Sequence, residues 1–382
     1  MTVKATETRQ ATRATTAAAA RPEKTTRGLR IAQLAPPWFP IPPVGYGGIE
    51  IVVHDLANGL HALGHEVYLL APGDSRTDAR LIPNVERHLG LDFTLEEKAE
   101  IMARTSAESY RKARAQLHAD VLHDHTDERP DPDYPVPIVR TIHGPALPEV
   151  VRKYAALSAQ GDSFVAISRR QRELYVERCR ELFGPGEHIH FVGTVHNPLD
   201  TSTIPFQEQK EDFAFFVGRA DWEKNPDGAI RIARAAGLPL VLALRINTIE
   251  RPYFEERVKP LLAPDVTLLG EISPEEKFDY LKRAKVVIFS SQWEEPFGLV
   301  MTEAMACGTP VVALPRGAAP EVIVDGVTGF LRDTEEGLAE AIRDLGAIDP
   351  RTCRRHVEDL FNPRTIADQY LAAYSLAIER HG

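Results

Sequence analysis

The chain has 382 residues, a formal net charge of -10 and 43% hydrophobic side chains, which fits two α/β domains with sizeable cores better than one. The acidic balance argues against an extended nucleic-acid footprint and, with no basic amphipathic stripe, against a membrane-surface protein. No apolar run approaches the roughly 20 residues of a spanning helix, and Cys179, Cys307 and Cys353 are too few and too scattered for a disulfide framework or a zinc site, as suits reduced thiols in a cytoplasmic protein.

Residues 1–26 are rich in Thr, Ala and Arg without an apolar h-region, and read as a disordered tail. From Arg30 to Ala35 the pattern predicts a buried strand, followed by a Pro-rich loop to Val44 and by Gly45-Tyr46-Gly47-Gly48. A helix with Ile49, Val52, Val53, Leu56, Leu60 and Leu63 at 3-4 spacing follows, closed by Gly64, and Glu66 to Ala71 is the next strand. That β-α-β unit favours a parallel sheet covered on both faces. Val121-Leu122, Ile138 to Ile142 and Phe164 to Ile167 read as further strand segments, with Ser168 and Gln171 as a capping box for the helix after them. Asn197-Pro198-Leu199-Asp200 reads as the domain junction, dividing the chain into 27–200 and 201–362.

The second half starts with a strand from Phe213 to Val217. Asn225 caps a helix that has Pro226 at its first position and Gly237 beyond its end. A strand at Leu240 to Leu244, a helix after Pro252, a strand at Val266 to Leu269 and a Ser273/Glu276 capping box follow. Val286 to Ser290 and Pro310 to Leu314 read as strands around a helix at Gly298 to Ala306, and residues 363–382 as an amphipathic helix.

Chemistry concentrates at strand ends. Glu295-Pro296-Phe297-Gly298-Leu299-Val300-Met301-Thr302-Glu303 lies between a strand and a helix, where unpaired amides of Gly298, Leu299 and Val300 suit an anion and two carboxylates suit polyol hydroxyls. On spacing alone Glu303 is equally a solvated helix residue. Arg219 and Lys224, in Gly218-Arg219 and Glu223-Lys224-Asn225, place two cations beside a helix N-terminus, which suits a diphosphate. Gly47 and Gly48 permit close backbone approach by a ligand, although a flexible turn explains them as well. His143, before Gly144-Pro145, is a cleft candidate, with a structural histidine as the alternative. His123 and His125 alternate with Asp124 along a strand, so the two rings share a face without a third metal ligand. Asp131-Pro132-Asp133 has the form of a cation-holding D-x-D, but its loop position reads as chance.

Together these residues resemble the GT-B glycosyltransferases of the large retaining family 4, over roughly Leu29 to Gly382. The Glu-x7-Glu motif of that family matches Glu295 and Glu303, and its Gly-Arg-(x)4-Lys element matches Gly218, Arg219 and Lys224. Glu303 to Val312 and Asp325 to Phe330 are similar too. The resemblance implies two Rossmann-like α/β/α domains facing a cleft, an acceptor domain before a donor domain, with the C-terminal helix crossing back. It implies that Arg219 and Lys224 neutralise the donor pyrophosphate and that Glu295, helped by the Phe297 and Gly298 backbone, binds the sugar. It also implies that the Leu299 amide lies near phosphate, Glu303 holds ribose and the Ile272 backbone meets the base. Gly47 and Gly48 would approach the diphosphate and His143 the reacting sugar. The expected partners are an NDP-sugar, as co-substrate rather than cofactor, and a hydroxyl-bearing acceptor, with no metal. A phosphorylase or sugar-nucleotide epimerase on the same fold, or a non-catalytic nucleotide-sugar-binding protein, stands as the alternative. Arg245-Ile246-Asn247 and Asn197-Pro198-Leu199-Asp200 depart from the family's usual pattern, with Arg245 a candidate for an added phosphate contact or an altered base preference.

Overall fold

A computed structural model describes residues 28–45 and 47–382; the tail expected over 1–26 and Tyr46 of the glycine loop lie outside the described residues. The first half carries β1 (Arg30–Leu34), α1 (Gly48–Ala62), β2 (Glu66–Ala71), β3 (Arg80–Pro83), α2 (Leu95–Gln116), β4 (Val121–Asp124), β5 (Ile138–Ile142), α3 (Pro148–Ala159), β6 (Ser163–Ala166), α4 (Arg169–Phe183) and β7 (Phe191–Thr194). The second carries β8 (Glu211–Arg219), α5 (Pro226–Ala236), β9 (Leu240–Arg245), α6 (Arg251–Tyr253), β10 (Val266–Leu268), α7 (Pro274–Arg283), β11 (Ala284–Phe289), α8 (Leu299–Ala306), β12 (Val311–Ala313), α9 (Ala319–Val322), β13 (Gly329–Leu331), α10 (Glu335–Arg343) and α11 (Pro350–Leu360). α12 (Pro363–His381) closes the chain.

The seven strands of the first sheet run β3-β2-β1-β4-β5-β6-β7, and the six of the second β10-β9-β8-β11-β12-β13, all in parallel register. β1, β2, β4, β5 and β6 are buried almost throughout, as strands are when helices cover both faces of a parallel sheet. The buried polar residues among them, such as Arg140 with Asp124 and Asp162, are paired. Each order reverses once, between β1 and β4 in one sheet and between β8 and β11 in the other. Loops leaving adjacent strands there go to opposite faces, which opens a crevice at the strand ends.

α12 packs into the core of the first half through Ile366, Tyr370, Ala373, Tyr374 and Ala377. Its start lies against α1 at Gly59, where an added Cβ would sit 2.5 Å from the Pro363 carbonyl oxygen. The halves are also tied by polar contacts. Glu321, before the end of α9, accepts from the Arg169 and Arg170 amides at the start of α4, 2.9 Å each, and sits 3.2 Å from His196 Nε2.

Several local expectations need correction. β8 runs on through Gly218 and Arg219, because both continue the ladder with Leu244 and Arg245 of β9. Ser168 caps α4, but Gln171 does not reciprocate. Its side chain accepts from the Ile167 amide and donates to the Ile142 and Gly144 carbonyls. The helix after Pro252 is one turn that loosens into a π-type segment at Phe254–Val258 and tightens to 3-10 at Lys259–Leu261, where Pro260 lacks the amide a regular helix needs.

Candidate active site

A cleft of about 660 Å³ lies between the halves, and its lining contains Gly47, Gly48, His143, Arg219, Lys224, Ile272, Glu295, Phe297, Gly298, Leu299 and Glu303. Every residue assigned from the sequence to a sugar-nucleotide site therefore borders one space, whereas His123, His125 and Asp131 do not line it. Neither the Pro36 to Val44 loop nor the Thr126 to Pro137 loop contributes to that lining.

The electropositive features of the cleft follow from two helix ends. α1 begins after Gly47 and α8 after Gly298, and neither glycine supplies a side-chain cap. Their first amides are left for whatever occupies the cleft. The two ends are close, since a Cβ on Gly48 would lie 3.4 Å from Leu299 Cδ1. Gly298 needs its left-handed conformation (φ 83°) to turn from the loop into α8. α5 has the expected cap, with Asn225 Oδ1 accepting from the Gly228 amide at 3.1 Å. Its N-terminus is thus capped, and the open ends belong to α1 and α8.

Charges meet at the second switch point. Lys224, from the loop after β8, forms an ion pair with Glu295 Oε2, from the loop after β11. The same oxygen accepts from Trp293 Nε1 at 2.7 Å, and Lys224 Nζ lies 5.7 Å from the Trp293 ring centre. Glu295 is held by two donors on one oxygen, which leaves Oε1 for a ligand. Arg219 pairs with Glu223 and, at 3.2 Å, with Asp221. Glu303 is 4% exposed and takes 2.6 Å from Lys277 Nζ, so it is no solvated helix charge. Gly317 and Ala318 brace the loop from below, donating to Glu294 Oε2 at 2.8 Å and to the Glu295 carbonyl at 2.9 Å.

On the other wall, His143 follows β5 in a turn held by Gln171 and by Tyr175, whose hydroxyl donates to the Pro145 carbonyl at 2.9 Å. His143 Nε2 is 2.9 Å from His125 Nδ1. Burial pulls the His143 imidazole down to about 4 and His123 to about 3, and takes His125 well below the usual histidine value. Asp131 of the D-x-D sequence is engaged with Arg114 at 2.6 Å. Cys307 is fully buried, its thiol pushed up to about 12 by burial, so it is packed rather than nucleophilic. Among the described residues no three His, Cys, Asp or Glu side chains gather as metal ligands, and no helix is long and apolar enough to cross a membrane.

Sequence reasoning missed Lys277, Trp293 and Asn197, and weighed His125 only as a metal ligand. Lys277 sits one residue past the Ser273/Glu276 capping box, a signal that placed it at the start of α7 without saying what it would meet. Asn197 lines the cleft at 5% exposure with Oδ1 buried and unpartnered among the described residues.

The family described as Glycosyltransferase Family 4 matches residues 46–203, and the family described as Glycosyl transferases group 1 matches residues 201–356. AviGT4, a glycosyltransferase involved in avilamycin A biosynthesis, has a structure similar to this one at TM-score 0.67 and 27% identity, covering 92% of this chain and 98% of that one. The chain is a GT-B glycosyltransferase. Its two halves are similar, in turn, to family 4 and group 1 domains. The glycogen synthase of Mycobacterium tuberculosis (strain H37Rv) is 28% identical to this glycosyltransferase across 88% of this chain and 92% of its own length. The D-inositol 3-phosphate glycosyltransferase of Mycolicibacterium vanbaalenii is 35% identical over 190 residues, 44% of this chain and 41% of that protein. HepE of Anabaena, solved in complex with UDP-glucose, shares the fold at TM-score 0.64 and 18% identity, covering 91% of this chain and 99% of that one.

Proposed function

We propose that this glycosyltransferase moves a sugar from an NDP-sugar to an acceptor hydroxyl with retention of anomeric configuration and without a metal ion. The observation that carries the reading is the contact of Lys224 with Glu295 at the second switch point, facing the uncapped end of α1 from the other half. A diphosphate in this cleft meets Arg219, Lys224 and the amides at the starts of α1 and α8, while the free oxygens of Glu295 and Glu303 accept from sugar and ribose hydroxyls. The backbones of Phe297 and Gly298 support Glu295, and Ile272 borders the same space where the base would lie. His143 faces the sugar from the opposite wall. The C1–O bond to phosphate breaks and its electron pair leaves with the nucleoside diphosphate. The acceptor oxygen then bonds to C1, and its proton passes to the departing phosphate oxygen. Retention is supported by the Glu-x7-Glu resemblance. Metal independence is supported by the cations and amides that meet the leaving-group charge.

Incubating the purified protein with a panel of NDP-sugars, chelator present, tests the proposal. Nucleoside diphosphate release should be confined to one donor, and Arg219→Ala and Lys224→Ala should each lower kcat by about 10²–10³ with folding intact. Undiminished turnover in both variants rejects the assignment, strict dependence on added Mn²⁺ rejects metal independence, and an inverted anomer in the product rejects retention.

A further inference from the structure

Resting on that function, we propose that His125 is a positioning residue for His143. It holds His143 as the Nδ1–H tautomer, so that a hydrogen-bond donor faces the sugar nucleotide. The two rings meet because β4 and β5 are neighbouring strands, with Asp124 opposite Arg140, and each histidine follows the end of its strand. The contact joins His125 Nδ1 and His143 Nε2 at 2.9 Å. His125 is 4% exposed, and its Nε2 is buried with no partner among the described residues.

That unpartnered nitrogen decides the direction of the bond. Burial keeps both rings neutral at pH 7, so each carries one N–H. If His143 Nε2–H donated to His125 Nδ1, the single proton of His125 would sit on Nε2, a buried N–H with nothing to accept it. If His125 Nδ1–H donates, its Nε2 is a bare acceptor. Buried orphan donors are rarer and costlier than under-used acceptors. The second arrangement prevails, His143 accepts at Nε2, and its own proton lies on Nδ1.

His125 is itself held. Its ring packs against His123, tilted by 39°, at a centroid distance of 4.1 Å. His123 lies 2.8 Å from the Tyr374 hydroxyl and 2.8 Å from Thr141 Oγ1, which in turn meets Tyr370 at 2.8 Å. Both tyrosines come from α12. The returning helix therefore anchors the ring pair on which the cleft histidine depends.

Histidine labelled with ¹⁵N separates the two nitrogens in two-bond ¹H–¹⁵N spectra, with His143→Gln assigning the signal. The expected spectrum has His143 protonated on Nδ1 without any substrate present. In His125→Phe, which keeps a ring against His123 but removes the donor, the Nε2–H form should appear, and kcat on the responsive donor should fall by about tenfold with donor KM little changed. His125→Asn places an amide N–H where Nδ1–H stood and should restore the tautomer and most of the rate. His125→Gln, whose amide reaches the Nε2 position instead, should not. An Nε2–H His143 in the unaltered protein, or wild-type kcat in His125→Phe, overturns the proposal. A protein showing the Nδ1–H form that releases diphosphate from no NDP-sugar upholds the positioning and rejects the function beneath it.

Discussion

Gly317→Ala separates backbone strain from displacement of the active-site loop. Gly317 has φ 55°, and an added Cβ would lie 2.3 Å from both the amide nitrogen and the carbonyl oxygen of Glu295. Both are backbone atoms, so no side-chain rotation relieves the clash. Reaching ordinary contact requires the loop bearing Glu295 to move by about 1 Å, and a misplacement of that size in a reacting geometry costs about 10²-fold. Gly326 provides the control. Its φ is 75° and nothing lies within 4 Å of its Cβ position, so Gly326→Ala adds only the left-handed strain of about 1–2 kcal/mol. Gly317→Ala adds an overpacking cost of about 1–3 kcal/mol to the same strain. With about 2–4 °C of melting temperature per kcal/mol for a half of this size, the control should melt a few degrees lower and Gly317→Ala distinctly lower still. Turnover of the responsive NDP-sugar, measured below both transitions, should stay near wild type in Gly326→Ala and fall about a hundredfold in Gly317→Ala. Equal activity in the two variants would show that the loop bearing Glu295 is not braced at Gly317, and would refute the argument.

Lys277→Met leaves Glu303 buried without its ion-pair partner and should raise donor KM about tenfold while kcat changes little, as steady-state kinetics would show. Glu321→Ala removes a carboxylate that two α4 amides and His196 hold across the interface; a loss of about 1.5–3 kcal/mol is expected, and urea unfolding should separate into two transitions. Burial raises the Glu50 carboxyl to about 7 against 4.5 for an unperturbed glutamate. The folded state then binds the extra proton, and stability is lost as pH rises from 4.5 through 7. Melting curves of Glu50→Gln should gain on the wild type across that window and run parallel above it. The histidine group has the opposite sign. With His143 at about 4 and His123 at about 3, stability is complete above 6.5 and declines as pH falls toward those values, so replacing His123 by Gln should flatten that acid limb.

How much was legible varied with how local the cause is. The Ser273/Glu276 capping box and the Asn225-Pro226 start of α5 with Gly237 at its end are local chemistry, and the structure has all of them. In the second half β8 to β12 were legible from their apolar runs, whereas the three-residue β13 went unread. α2 went unread for a physical reason: its buried side is Thr105, Ser106, Ser109, Tyr110 and Ala113, so a 22-residue helix carries almost no hydrophobic stripe. β3 has no fully buried residue and left no pattern. In the candidate site, Arg219, Lys224, Glu295 and Glu303 were singled out by spacing and line one cleft, whereas Lys277 and Trp293 were invisible until their partners had positions.

By itself the sequence determined the β1-α1-β2 start, most strands of both sheets, the glycines at the starts of α1 and α8, and the two basic and two acidic residues of the second half. Those depend on backbone conformation and side-chain chemistry within a few residues. Only the tertiary structure decided that Lys224 would hold Glu295, that the ends of α1 and α8 would face each other, and that His125 would meet His143. Each depends on strand neighbours chosen across long stretches of chain, as when β1 pairs with β4, and such pairing is set by the packing of whole faces, which no local spacing records.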